Sequence, residues 1–219
     1  MRFEGKGAVQ APPGYAIFGI KNTKTYRPMR KNKINMDPYE IIKGFYQESS
    51  SLYNCLVSHS EKVAQKALNC AMDFDVDRKF IREAALLHDI GIYLTYAPKI
   101  ECYGNLPYIM HGNLGMRLLE QKGLYRHAQV CARHVGVGLS KEDIQIQKLP
   151  LPEIDMEPET LEEMIICYAD KFFSKSKNNV EKTLDQIQWE LSHYNQKAID
   201  KFMVWHHCFG AKHSISKSP

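Results

Sequence analysis

A histidine and an aspartate end an otherwise apolar run, Ala84-Ala85-Leu86-Leu87-His88-Asp89-Ile90-Gly91. No other stretch constrains the fold so tightly. The flanking residues ask for burial, and an ionised aspartate is among the groups least often buried alone. Its charge can stay inside only if it is paired or bound to a cation. A divalent metal held jointly by an imidazole nitrogen and a carboxylate oxygen would meet that need.

The rest of the chain reads as a succession of helices. Asp37 is placed to cap a first helix from Pro38 to Gln47, with Pro38 at its first position and Glu40 in a capping-box pattern. Leu52, Leu56, His59, Val63, Ala67 and Cys70 recur at three- and four-residue steps, which predicts a helix from Leu52 to Met72. Asp77 caps a third helix that Gly91 ends. Further helices are expected over Pro107–Gln121, Tyr125–Val135 and Glu159–Ser176, with one long C-terminal helix from Val180 to Cys208. Strand alternation and internal repeats are missing, so the expected fold class is all-α, a helical bundle with a long C-terminal helix.

Residues 1–35 differ in character. They hold Gly5, Gly7, Pro12, Pro13 and Gly14, a short apolar piece from Tyr15 to Ile20, and a basic stretch from Lys21 to Lys33. A poorly ordered basic arm is expected over 1–35, one domain over 36–210 and a flexible tail over 211–219. The 219 residues suffice for a substantial single core. A net charge of +4 is too small and dispersed to argue for specific nucleic-acid binding. No apolar run approaches the ~18 residues of a membrane span. Six scattered cysteines without a CxxC pair fit free thiols in a reducing cytoplasm.

Chemistry-bearing residues fall on successive helices: His59, then His88 and Asp89, then His111, His134 and Asp170. Antiparallel helices can aim such side chains at one interior point. Each histidine alone is as well explained as a hydrogen-bonded core residue, and the order of the set is what argues for ligands. Imidazole and carboxylate donors without thiolate suit iron, manganese, cobalt, nickel or zinc. Six ligands exceed what one open metal site needs and suit a pair of metals. Cys131 and His134 have a CxxH spacing but no second pair, and His127, His206, His207 and His213 read as helix-surface residues.

This ordered set resembles the His…His-Asp…Asp signature of the HD superfamily of metal-dependent phosphohydrolases. The strings Leu87-His88-Asp89-Ile90-Gly91 and Tyr168-Ala169-Asp170-Lys171 carry the resemblance. His111 and His134 make it similar to the dimetal branch, over roughly residues 50–176. The resemblance implies a first metal on His59, His88, Asp89 and Asp170. A second would lie on His111 and His134 with Asp89 bridging, and Asp89 would thereby help activate a metal-bound hydroxide. Iron or manganese is expected first, with zinc, cobalt, nickel or magnesium as alternatives. Within the branch, the pattern is similar to symmetrical diadenosine tetraphosphate hydrolases and to helical HD-type diiron oxygenases. It fits the cyclic-di-GMP phosphodiesterases less well, because the GYP motif is missing. The expected activity is hydrolysis of a phosphoester or phosphoanhydride of a small metabolite or nucleotide, the alternatives being a diiron oxygenase and a non-catalytic nucleotide-binding module. Lys171, Arg133 and Arg82 are the expected phosphate-binding residues, Lys171 also serving catalysis. The substrate pocket is expected between the loops Thr95–Leu106 and Gly138–Ile154. The C-terminal helix would cover the domain or pair with a second copy of the chain.

Overall fold

A computed structural model describes residues 36–177 and 180–210. The arm expected over 1–35 and the tail over 211–219 lie outside the described residues. The first helices start where their caps predict. Asp37 accepts from the Tyr39 amide at the head of α1 (Pro38–Lys43), and Asp77 accepts from the Phe80 amide at the head of α3 (Arg78–Leu87). Between them, α2 (Ser51–Cys70) is capped by Ser50. Such side-chain oxygens satisfy amides that have no partner within the helix, typically worth ~1 kcal/mol.

After α3 the chain forms a small three-stranded sheet that periodicity does not reveal. β1 (Thr95–Ala97) pairs antiparallel with β2 (Cys102–Tyr103) and parallel with β3 (Leu106–Pro107). Strands of two and three residues are too short to show alternation. Pro107 therefore belongs to the sheet, and α4 begins at His111 and runs to Gln121. α5 (Tyr125–Arg133) follows. A capping box of Ser140 and Asp143 starts α6 (Lys141–Ile146) inside the segment expected to be a loop. α7 (Leu161–Asp170), capped by Thr160, stops six residues earlier than the helix expected to end at Ser176. The chain then turns tightly, with Phe172 and Phe173 amides donating to the carbonyls of Ala169 and Asp170.

The continuous C-terminal helix expected from Val180 to Cys208 is two helices, α8 (Leu184–Ser192) and α9 (Gln196–Phe209). Neither glycine nor proline marks the break. Asn195 adopts an extended backbone and caps α9 by accepting from the Ala198 amide. Among the described residues the fold remains all-α apart from the small sheet.

Two apolar clusters meet inside the bundle. One gathers Val63, Ala67, Ile81, Ala84, Ile165, Ile166 and Phe202 from α2, α3, α7 and α9. The other gathers Ile42, Leu56, Leu87, Ile90, Leu119 and Cys131. His59 lies on α2 between Leu56 of one cluster and Val63 of the other, and His88-Asp89 follows directly on Leu87. The polar residues therefore sit at the seam of the two cores.

Candidate metal centre

Five segments deliver the six candidate ligands. His59 projects from α2, His88 and Asp89 follow α3, His111 opens α4, His134 ends α5, and Asp170 is the last residue of α7. All six are buried. Close packing of α4 makes this convergence possible. A β-carbon on Gly91 would lie 2.3 Å from the His111 carbonyl oxygen, and one on Gly112 would lie 2.4 Å from the Cys131 carbonyl oxygen. Gly91 has an ordinary φ of −84°, so it is needed for space rather than to stop a helix in left-handed geometry. Tyr46 steadies the same turn by donating its hydroxyl hydrogen to the Ile90 carbonyl at 2.7 Å.

The ligand atoms form two groups that share Asp89. In the first, His59 Nε2 lies 3.0 Å from Asp170 Oδ1 and 3.2 Å from Asp89 Oδ2. His88 Nε2 is 2.9 Å from Asp89 Oδ2 and 3.3 Å from Asp170 Oδ1. In the second, Asp89 Oδ1 is 3.2 Å from His111 Nε2 and 3.5 Å from His134 Nε2. Within each group the donor atoms all lie within 4.8 Å of one another.

The hydrogen bonds around the imidazoles decide which nitrogens can bind a cation. Nδ1 of His88 donates to the Ala85 carbonyl at 2.7 Å, Nδ1 of His111 to the Tyr108 carbonyl at 2.7 Å, and Nδ1 of His134 to the Cys131 carbonyl at 2.8 Å. A carbonyl can only accept, so each neutral ring carries its hydrogen on Nδ1 and presents a lone pair at Nε2. His111 Nε2 and His134 Nε2 then face each other at 3.0 Å with lone pairs directed inward. His88 Nε2 and both Asp89 oxygens are close to these neighbours yet make no hydrogen bond of acceptable direction. Imidazole nitrogens and carboxylate oxygens converging on shared points fit a divalent cation.

Electrostatics points the same way. Burial opposes ionisation of Asp89 and Asp170, but His88 and Lys175 around the first and Lys171 and His59 around the second hold both carboxyls well below the usual range. Burial would push His88 down, but the Asp89 and Asp170 carboxylates outweigh it and raise the imidazole from 6.5 to about 9. His111 goes the other way, pushed down by burial to about 3, and burial lowers His134 as well. The second group is therefore made of neutral imidazoles at physiological pH.

A cavity of about 480 Å³ opens onto this floor. His111, His134 and Asp170 line it together with Lys171, Lys175 and Lys182, and Ile187, Leu191 and Tyr194 add apolar surface. Lys171 bonds Asp170 Oδ2 at 2.8 Å and the His134 carbonyl at 3.3 Å. Ala97, Lys99 and Ile100 line the cavity from the loop expected to do so. The expected contribution of Gly138–Ile154 is made instead by α8 and the segment after α7.

Both arginines singled out in the sequence, Arg133 and Arg82, lie outside the lining of this cavity. Arg133 is clamped by Glu163 at 3.1 and 3.2 Å and by Glu159 at 2.8 Å, which ties the end of α5 to the start of α7. Arg82 is exposed on α3 and does not line the cavity. Sequence reasoning passed over Lys175, whose ammonium lies 2.5 Å from Asp89 Oδ2. Its one signal was the spacing of five residues from Asp170.

The fold and the donor set together define a helical domain with a buried imidazole–carboxylate centre compatible with a divalent cation. A profile of the HD-domain family matches residues 56–174, more than half of the chain. The chain belongs to the HD-domain family. Among curated relatives, a tRNA (cytidine(56)-2'-O)-methyltransferase of Thermoplasma volcanium is 28% identical over 172 residues, covering 78% of this chain and 45% of that protein. An uncharacterized protein of Methanocaldococcus jannaschii is 32% identical over 128 residues, covering 56% of this chain and 68% of that protein. The chain thus spans less than half the length of the methyltransferase it matches. The HD domain of the phosphodiesterase PgpH of L. monocytogenes superposes with a TM-score of 0.51 at 16% identity, covering 77% of this chain and 94% of that one, a likeness of fold. Among the described residues, no helix is long and apolar enough to cross a membrane.

Proposed function

We propose that the chain is a metal-dependent phosphohydrolase cleaving a phosphoester or phosphoanhydride of a small metabolite or nucleotide. The observation that carries this reading is the division of Asp89. One oxygen faces His59 and His88, and the other faces His111 and His134. His59, His88, Asp89 and Asp170 would hold one cation, and His111 and His134 with Asp89 a second, and the donors would suit iron or manganese before softer ions. Bound divalent cations supply charge to phosphoryl oxygens and make a water far more acidic than in bulk.

The chain's own residues do the remaining work. Carbonyl-bound Nδ1 hydrogens hold three imidazoles in the tautomer and orientation that present Nε2. Lys171 is half-buried and charged, and Asp170 and the His134 carbonyl fix its position while donor capacity remains for a phosphoryl oxygen. The wall of Ile187, Leu191 and Tyr194 would cover the organic part of the substrate and exclude water. The four lysines that line the cavity, Lys99, Lys171, Lys175 and Lys182, favour a phosphorylated substrate over the oxygenase reading of the same ligand set. The methyl transfer in the name of the Thermoplasma relative is not carried over. This chain covers less than half of that protein.

The test is metal analysis of protein purified without added metal, then a panel of phosphomonoesters, nucleotides and dinucleotides with and without oxygen. Two metals per chain and oxygen-independent phosphate or nucleotide release are expected. Oxygen consumption without phosphate release, or turnover indifferent to chelation, would overturn the reading.

A further inference from the structure

Two ammonium groups meet the two carboxylates of the first ligand group, and they do so differently. Lys171 contacts Asp170 Oδ2, whereas the imidazoles of His59 and His88 face Asp170 Oδ1. That lysine takes the outer oxygen and leaves the inner one available. Lys175 contacts Asp89 Oδ2, the same oxygen that lies 2.9 Å from His88 Nε2 and 3.2 Å from His59 Nε2. Its ammonium thus sits on an inner oxygen, where a divalent cation held by those imidazoles would also have to sit. Like charges at contact distance in a buried site repel strongly. The doubly charged ion has the larger attraction to the carboxylate, so the lysine must give way. Lys175 starts a tight turn (Lys175–Lys177), and its side chain lines the cavity beside Tyr108. Its flexible four-carbon stem and three donors let the ammonium turn toward an anion there.

We propose that Lys175 is a tethered counter-ion of the first cation site. It neutralises Asp89 Oδ2 until a divalent cation binds, yields that oxygen to the cation, and then holds a phosphoryl oxygen in the cavity. The proposal rests on the metal-dependent reading above and adds to it a residue that sets cation affinity and anchors phosphate. Lys171, which never occupies an inner oxygen, has no such exchange to make.

The experiment titrates manganese(II) into the full chain by calorimetry, for wild type, K175Q, K175R and K171Q, with circular dichroism to check folding. Inorganic phosphate is then titrated into each manganese-loaded protein. K175Q should bind its first manganese about tenfold tighter or more, and phosphate about tenfold weaker. K175R should stay near wild type in both, and K171Q, whose lysine takes only the outer oxygen of Asp170, should gain clearly less manganese affinity than K175Q. If K175Q fails to fold, K175M offers the same neutral side chain with a similar stem. Manganese affinity that is unchanged or lower in the neutral variant, or phosphate affinity that does not fall, would overturn the proposal. A wild-type protein that binds no divalent cation would instead refute the metal-dependent reading itself.

Discussion

Replacing Gly91 by alanine tests whether close approach of α4 builds the second half of the ligand set. The backbone at Gly91 suits alanine, so the only new element is one methyl group. It would lie 2.3 Å from the His111 carbonyl oxygen and 2.5 Å from the Gly115 amide nitrogen. Ordinary contact begins near 3.4 Å, so α4 must retreat by roughly 1 Å. Both obstructing atoms are backbone, and no side-chain rotation can relieve the clash. Overpacking of this kind costs about 1–3 kcal/mol, which for a chain of this size lowers Tm by roughly 2–12 °C. His111 moves with its helix, and metal sites tolerate only about 0.2 Å of error in ligand distance. The second cation should therefore be weakened or lost, while the first, on α2, α3 and α7, is retained. Thermal unfolding followed by circular dichroism and metal stoichiometry after dialysis would measure both effects. Two tightly held cations per chain and an unchanged Tm in Gly91→Ala would refute the reasoning.

Asp89→Ala should cut metal-dependent phosphate release by at least about a hundredfold and lower cation stoichiometry, and full activity would remove Asp89 from the chemistry. Without cations, the His88 imidazole is raised from 6.5 to about 9, so its contribution to stability is full below pH ~6.5 and is lost as pH rises through ~9. A cation at the first site displaces that proton. Binding should therefore release a proton at pH 7 and tighten toward pH 9, whereas His111, near 3, releases none in this range. Calorimetry in buffers of different ionisation heat reads the proton count, and pH-independent affinity between 7 and 9 would contradict it. Arg133→Ala should leave the buried Glu163 carboxylate without its strongest partner and destabilise the fold by about 1–3 kcal/mol. KM for a phosphorylated substrate should stay within about twofold, and a large rise in KM at unchanged Tm would return the arginine to the substrate site.

What could be read from the sequence followed from local chemistry. Asp37 and Asp77 cap their helices because a short carboxylate three residues or fewer from an amide decides its partner locally. The order of His59, His88, Asp89, His111, His134 and Asp170 was visible because each lies on, or at the end of, a periodic segment. Orientation about a helix was less legible for charged neighbours of those residues. Adjacent helical residues point about 100° apart. Arg133 thus turns to Glu159 and Glu163 although the next residue, His134, faces inward. Lys175 fell inside the helix expected to end at Ser176, and only the earlier end of α7 at Asp170 lets it turn to Asp89. The break at Asn195 was equally silent, being made by a side-chain cap rather than by glycine or proline.

The two residues that meet at the heart of the first ligand group, His59 and Asp170, are separated by 111 positions in the chain. Between them lie the other four candidate ligands. No pair of neighbouring helices assembles the set, so it exists only when the bundle from α2 to α7 has closed. A cation that needs the complete set binds the native chain and little else, adding about 2.7 kcal/mol of stability at a hundredfold excess over Kd. Contacts of such long sequence separation form late. Bound cations should accordingly slow unfolding without hastening folding, which makes them a lock on the finished molecule rather than a template for building it.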